Sequence, residues 1–257
     1  MPHFRATDGI ELAYLDEGEG KPLVFVHGWM MSGRFWKRQV DAFRNQNRIV
    51  VPDLRGCGDS QPKPGTHNVP RYAEDLHELL SGLDLKEATL VGWSMGGGIA
   101  IEYLHRHGTG RVQAVGLVDF PPKLEEDPSV ADKVCHNLNT RKDSFSESFL
   151  QRMFLEPLPP SEKSWMLAET GKCLPATACE MYRAMRGTGE VASRKPYGIP
   201  ALLAFPEKGW FPKALPEWTP HFSKTITPTL TKSKHCPFLE EAEAFNSALR
   251  TTMSTHA

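Results

Sequence analysis

Short apolar runs rich in β-branched residues alternate along this chain with longer amphipathic stretches, and this alternation limits the possible folds more than any other feature of the sequence. The runs predict buried strands at residues 23–26, 48–52, 88–91, 112–118 and 200–205. A hairpin over residues 4–14, turning at Asp8-Gly9, is expected to precede them. Strands that alternate with helices form a mostly parallel sheet with helices on both faces. The sequence therefore predicts the α/β fold class.

Two helices are clearly marked between these strands. Apolar residues recur at helical spacing from Val69 to Leu83, and Pro70 stands where a first helical turn tolerates proline. A second helix is expected to begin directly after Ser94 and to stop at Gly108. Both helices would connect neighbouring strands of the sheet.

The regular alternation stops between residues 121 and 196, where the sequence has no clear strand, is charged and helical, and is interrupted by Pro-Leu-Pro-Pro at 157–160. We interpret this stretch as a helical insertion. A chain of 257 residues is long enough for one domain with such an insertion. The predicted organisation is a core of residues 1–120 and 197–257 that carries an inserted segment at 121–196.

Composition limits the kinds of partner. The 30 Lys and Arg nearly balance the 31 Asp and Glu, so no broad basic field exists to hold nucleic acid or an anionic membrane. The N-terminus has no apolar leader and no long apolar run occurs. The five cysteines are scattered without a C-x-x-C pair, which argues against a disulfide framework or a zinc site. We expect a cytoplasmic protein with a small-molecule partner.

The motif Gly92-Trp93-Ser94-Met95-Gly96 lies directly after a predicted strand and directly before a predicted helix. A G-x-S-x-G sequence in that context forms a sharp turn that presents its serine to a pocket, and glycines on both sides leave room for the turn. The helix N-terminus that follows offers unpaired N–H groups and the positive end of the helix dipole. Ser94 is therefore the predicted nucleophile.

A nucleophilic serine needs a neutral imidazole within hydrogen-bonding distance. His235 is the predicted general base, because a serine followed much later by histidine is the chain order of serine sites built on a strand–turn–helix motif. The neighbouring Cys236 is interpreted as a small packing residue, since Ser94 is the better nucleophile.

A tetrahedral oxyanion needs at least two fixed hydrogen-bond donors. The backbone amide of Met95, directly after the nucleophile, is expected to supply one. The amide of Trp29, in the loop after the third strand, is the best candidate for the other. His27, in the same loop, is interpreted as a brace for the loop rather than as a catalytic base.

These motifs, in this order, resemble the α/β-hydrolase superfamily, and residues 91–122 are particularly similar to cofactor-free bacterial haloperoxidases and related carboxylesterases. The stretch Asp-Leu-Arg-Gly-Cys-Gly-Asp-Ser at 53–60 matches the family's loop after the fourth strand. Residues 235–238 with Glu240 match its histidine loop, although Lys234 stands where the family commonly has glycine. The resemblance implies an α/β-hydrolase fold in which residues 121–196 form a helical lid over the active site.

The acid that orients the histidine has two candidates. The family's usual site after the seventh strand reads Phe-Pro-Glu-Lys-Gly at 205–209, which contains Glu207 but no aspartate. Some family members supply the acid from the end of the sixth strand, where this chain has Asp119. We favour Asp119, because a strand end is more rigid than the loop that holds Glu207 beside Lys208.

The predicted activity is hydrolysis of a small or medium, fairly apolar ester or lactone through an acyl-enzyme, with the apolar preference based on Trp29, Trp93 and the aromatic content of the insertion. No metal or organic cofactor is implied. The same constellation serves relatives that form peracids with peroxide, carbon–carbon hydrolases, hydroxynitrile lyases and non-catalytic small-molecule receptors. Turnover of a generic ester separates the hydrolase from the receptor.

Overall fold

One eight-stranded sheet forms the centre of the protein. The structure is a computed structural model that describes residues 1–123, 128–185 and 195–256. The strands follow the spatial order β1-β2-β4-β3-β5-β6-β7-β8. Their bounds are β1 His3–Arg5, β2 Glu11–Glu17, β3 Pro22–Val26, β4 Arg48–Pro52, β5 Ala88–Trp93, β6 Val112–Val118, β7 Ala201–Ala204 and β8 Thr225–Ile226. Strand β2 is antiparallel to β1 and β4, and every other pairing is parallel, which confirms a mostly parallel sheet.

The strand predictions agree with the structure to within two residues at each end. The predicted N-terminal hairpin is present, with Phe4 opposite Leu12 and Gly9 in the turn at a φ of 90°. Strand β8 was not predicted, because two paired residues, Thr225 and Ile226, are too short to give an apolar pattern.

Helices connect the strands and cover the sheet. Their bounds are α1 Lys37–Phe43, α2 Val69–Gly82, α3 Met95–His107, α4 Pro128–Arg152, α5 Pro160–Lys172, α6 Pro175–Ala184, α7 Leu215–Trp218, α8 Pro237–Glu240 and α9 Ala242–Met253. The Asn68 side chain caps α2 by accepting from the Arg71 amide at 3.0 Å, and α3 ends at Gly108 as predicted. Within the described ranges, no helix combines the length and apolar character needed to cross a bilayer.

Both faces of the sheet are covered. Every residue of β5 is buried, as expected of a central strand with packing on each side. Helices α2 and α3 pack on each other, and α3 contacts β3, β5 and β6. Helices α1 and α9 form a second group, in which α9 contacts β6, β7 and β8. The predicted α/β architecture is confirmed.

Between β6 and β7 the described chain is helical, in α4, α5 and α6. These helices contact the core through the loop after β3, where the indole Nε1 of Trp29 donates to the carbonyl of Ala178 at 2.8 Å. Residues 124–127 and 186–194 of the predicted lid lie outside the described residues.

His27 holds together the loops that follow β3 and β4. Its ring is fully buried, with Nδ1 2.8 Å from the carbonyl of Gly28. The Leu54 amide donates to Nε2 at 2.9 Å, so Nδ1 carries the proton that the Gly28 carbonyl accepts. Burial lowers the pKa of His27 from 6.5 to about 4. This is the bracing role predicted from the sequence.

We predict that His27 makes the fold sensitive to mild acid. Because its pKa is lower in the folded state, the unfolded chain binds more protons between pH 6.5 and about 4, and the free energy of unfolding falls as the pH drops through that range. A pKa shift of this size lowers the free energy of unfolding by roughly 3 kcal/mol at the acid end of that pH range. Urea unfolding of the wild type and of His27→Gln at several pH values measures it.

The variant is expected to be less stable at pH 7.5 and to lose less additional stability at pH 4.5 than the wild type does. His136→Gln, which removes an exposed histidine, is the control and should follow the wild-type slope. Equal slopes in His27→Gln and the wild type would contradict the prediction.

Candidate active site

Ser94 lies in a strained turn between β5 and α3. Its φ of 53° and ψ of −121° fall in a region that non-glycine residues avoid, at a cost of about 1–3 kcal/mol. Its amide donates to the Val118 carbonyl at 2.9 Å. A Cβ on Gly92 would collide with the Gly96 carbonyl oxygen, and a Cβ on Gly96 would collide with the Val26 carbonyl oxygen. Only glycine fits at either position, so the two glycines permit the turn that presents Ser94.

Asp119 follows β6 and contacts His235 directly. Its Oδ2 lies 2.7 Å from Nδ1 of His235, and both side chains are buried. The amides of Trp210 and Phe211 also donate to its two oxygens, at 2.8 and 3.0 Å. A carboxylate at Nδ1 favours the tautomer in which Nδ1 donates and Nε2 is free to accept a proton. The geometry thus leaves His235 able to act as a base.

The loop after β7 encloses Asp119 instead of supplying an acid of its own. A Cβ on Gly209 would lie 2.8 Å from Oδ1 of Asp119, so this loop passes close to the carboxylate. Glu207 is exposed, and its amide donates to the Leu230 carbonyl at 3.0 Å. Of the two candidate acids, the structure brings Asp119 to His235 and leaves Glu207 at the surface.

His235 is held on several sides. Its amide donates to the Met153 carbonyl at 2.9 Å, and its carbonyl accepts from the Trp93 indole at 2.8 Å. The Trp210 ring stacks on the imidazole with centroids 3.7 Å apart and planes inclined by 11°. Trp210 was missed by the sequence analysis, since nothing local indicates that a residue after β7 would stack on a histidine near the C-terminus.

Glu240 fixes the loop that carries His235. One of its carboxylate oxygens accepts from the Leu155 amide at 2.7 Å and the other from the Lys234 amide at 2.8 Å. Burial raises the pKa of Glu240.

Lys234 is not among the described residues with positive φ, so the glycine that the resembled family has here is not required for this loop conformation.

The backbone amides of Trp29 and Met95 are the predicted oxyanion donors. Both residues are buried, and neither backbone N–H has a hydrogen-bond partner among the described residues. Buried amides without a partner are rare. Met95 is also the first residue of α3, where the helix dipole favours negative charge.

A cavity of about 270 Å³ opens over Ser94 and Met95. Its lining is predominantly aromatic and apolar and comes from both the core and the insertion: Trp29, Ser94, Met95, Phe120, Pro121, Phe149, Arg152, Tyr182, Met185, Trp210 and Phe211. Trp29 and side chains of the insertion thus face the cavity as expected. Trp93 does not line it, and its indole instead donates to the His235 carbonyl.

Other reactive groups are packed away from the cavity. Cys236 is fully buried, and burial raises the pKa of its thiol, as expected of a packing residue. Among the described residues, no group of three or more His, Cys, Asp and Glu side chains is arranged to hold a metal ion.

Comparison with curated proteins finds similarity to proteins named non-heme chloroperoxidases and haloperoxidases. The non-heme chloroperoxidase of Kitasatospora aureofaciens is 42% identical over 140 residues, which cover 52% of this chain and 51% of that protein. The chain spans about half the length of the curated relatives it matches.

Solved structures match over nearly the whole chain. An esterase from Exiguobacterium antarcticum has a TM-score of 0.91 at 22% identity and covers 98% of this chain and 99% of its own. A bromoperoxidase from Bacillus anthracis has a TM-score of 0.90 at 24% identity, and the match covers 98% of this chain and 100% of that one. At these identities the likeness shows the fold alone.

The sequence model of the family described as alpha/beta hydrolase fold matches residues 21–152. That segment is 132 of the 257 residues, more than half of the chain. The chain belongs to the alpha/beta-hydrolase fold family.

Proposed function

We propose that this protein is a serine hydrolase that cleaves a carboxylic ester or lactone. In this proposal Ser94 is the nucleophile, His235 the general base and Asp119 the acid that orients it. The observation that supports it most is the 2.7 Å contact between Asp119 and His235, made by two buried side chains beside a strained serine turn. Such a contact selects the imidazole tautomer that can deprotonate a serine.

The reaction proceeds in two halves. His235 takes the proton of Ser94 through Nε2 while the serine oxygen attacks the carbonyl carbon, and the amides of Trp29 and Met95 stabilise the oxyanion. The tetrahedral intermediate expels the alcohol, which receives the proton from His235. Water, deprotonated by His235, then attacks the acyl-enzyme, and the acid leaves as Ser94 recovers its proton.

The cavity suits a small or medium, fairly apolar substrate. A volume of about 270 Å³ with mostly aromatic lining favours burial of an apolar group. Side chains of α4 and α6 contribute to that lining, which supports the proposal that residues 121–196 are a lid on a core of residues 1–120 and 197–257.

The five free thiols suit a reducing compartment, and we propose a cytoplasmic location.

A second candidate is peroxide-dependent acyl transfer. The observation that favours it is the 42% identity with a protein named a non-heme chloroperoxidase. In that reaction hydrogen peroxide replaces water at the acyl-enzyme, so an ester and peroxide give an alcohol and a peracid. Adding peroxide to the ester assay and measuring peracid against free acid separates the two fates of the same intermediate.

The triad proposal predicts the activity of three variants on short-chain p-nitrophenyl esters. Ser94→Ala removes the nucleophile and Asp119→Asn removes the charge that holds the His235 tautomer, so each should lower kcat by about 10³-fold or more. Glu207→Gln is the matched control at the alternative acid and should retain wild-type kcat.

Loss of activity in Glu207→Gln with retention in Asp119→Asn would reverse the assignment of the acid. A wild type without Ser94-dependent turnover of esters or lactones would overturn the hydrolase proposal and favour a lyase or a receptor.

We further predict that Trp210 positions the imidazole. Trp210→Leu removes the ring stacked on His235 and should lower kcat/KM by about 10- to 100-fold, because small displacements of a catalytic group are costly. Trp210→Phe keeps an aromatic face and should lose less. Steady-state kinetics on the same ester measures both.

Trp165→Leu provides the control. Trp165 belongs to α5 in the insertion and packs against Phe35, without lining the cavity. If Trp165→Leu and Trp210→Leu lose equal activity, the effect of Trp210 is general packing and the positioning role is wrong.

A further inference from the structure

Arg152 introduces a positive charge into an otherwise apolar site. It is the last residue of α4. Among the described residues that line the cavity over Ser94, it is the only one whose side chain is charged at neutral pH. Its guanidinium carbon lies 5.8 Å from the centre of the Phe149 ring. The aromatic ring therefore supports the guanidinium at the cavity without neutralising it.

No carboxylate in the described part of the chain forms a salt bridge with Arg152. Two other cations of the insertion do form ion pairs: Lys163 with Glu147, and Arg183 with Asp132 at 3.2 Å. Arg152 thus presents its donors to solvent at the cavity, where they are free for an anionic ligand.

The backbone that carries Arg152 is tied to the histidine loop. The carbonyl of the next residue, Met153, accepts from the His235 amide at 2.9 Å. Two residues further on, Leu155 donates to Glu240, which also holds Lys234. The backbone at Arg152 is therefore tied to the proposed reaction centre, as the attachment point of a specificity residue requires.

Stabilisation of the α4 C-terminus is the simpler role for an arginine at this place. A cation in the last turn contributes about 0.3–1 kcal/mol through the helix dipole. That role acts on the stability of the fold and is indifferent to the charge of the substrate, so the two roles differ in what they predict for catalysis.

We propose that Arg152 selects substrates that carry a carboxylate away from the scissile ester or lactone group. This inference rests on the proposed hydrolase function and adds a substrate class to it. A guanidinium binds a carboxylate through two parallel N–H donors, while the aromatic cavity holds the apolar part of the molecule between the carboxylate and Ser94.

Matched pairs of esters test the inference. Mono-4-nitrophenyl adipate and 4-nitrophenyl hexanoate have acyl chains of equal length and differ in the terminal carboxylate. Sodium 4-acetoxybenzoate and methyl 4-acetoxybenzoate place the same difference on the leaving group. The two pairs together show which half of the substrate faces Arg152.

Arg152→Met should lower kcat/KM for the anionic member of at least one pair by about tenfold, which equals about 1.4 kcal/mol, and leave its neutral partner unchanged. Arg152→Lys should retain part of the preference, and high salt should weaken it in the wild type. Arg183→Met removes an equal charge from α6 outside the cavity lining and is the control. An unchanged anionic-to-neutral ratio in Arg152→Met, or the same change in Arg183→Met, would overturn the inference.

A binding experiment separates this inference from the proposed chemistry. Trp29 and Trp210 line the cavity, so tryptophan fluorescence can follow the binding of 4-phenylbutyrate and of its neutral amide to the protein and to Arg152→Met. Tighter binding of the carboxylate that depends on Arg152 supports the inference even if no ester is hydrolysed. If no ester is hydrolysed, equal binding of both compounds to both proteins contradicts the inference. If esters are hydrolysed, the kinetic ratio decides it, and an unchanged ratio leaves the hydrolase proposal intact.

Discussion

The buried hydrogen bond between Asp119 and His235 is the interaction on which the rest of the site depends. A carboxylate that is fully buried costs several kcal/mol unless donors surround it. Here the donors are the His235 ring and the amides of Trp210 and Phe211. They come from two segments distant in sequence from β6, the loop after β7 and the loop before α8. Satisfying one carboxylate therefore brings three parts of the chain together and sets the orientation of the imidazole.

The parallel sheet places the serine turn beside this carboxylate. Strands β5 and β6 pair in parallel, with Trp93 opposite Val118, so the residues that follow them, Ser94 and Asp119, emerge at the same edge. Both have positive φ, 53° and 43°, and both turn sharply out of their strands. This backbone strain lies where the chemistry is proposed to occur. At Ser94 the strained turn is possible because Gly92 and Gly96 have no Cβ to collide with the neighbouring backbone.

Sequence reasoning reached the fold and the approximate positions of the main strands and helices, because apolar periodicity and the glycines around Ser94 are local signals. It also identified three residues that the structure gathers at the cavity, Ser94, Trp29 and Met95. As the acid that orients His235 it favoured Asp119, which contacts that histidine, over Glu207. It could not find Trp210, Glu240 as a bridge between two loops, or the exposure of Arg152 to the cavity. Those contacts join positions far apart in the chain, and only the assembled loops bring them together. Strand β8 was missed because it has only two paired residues.

Covalent labelling tests the central claim most directly. A fluorophosphonate reacts with a serine only where a base and an oxyanion site activate it, so it reports the proposed site without a known substrate. Intact-mass and peptide analysis after incubation should show one adduct, on Ser94, formed much more slowly in Asp119→Asn. No adduct, or an adduct on another serine with Ser94 unmodified, would contradict the account.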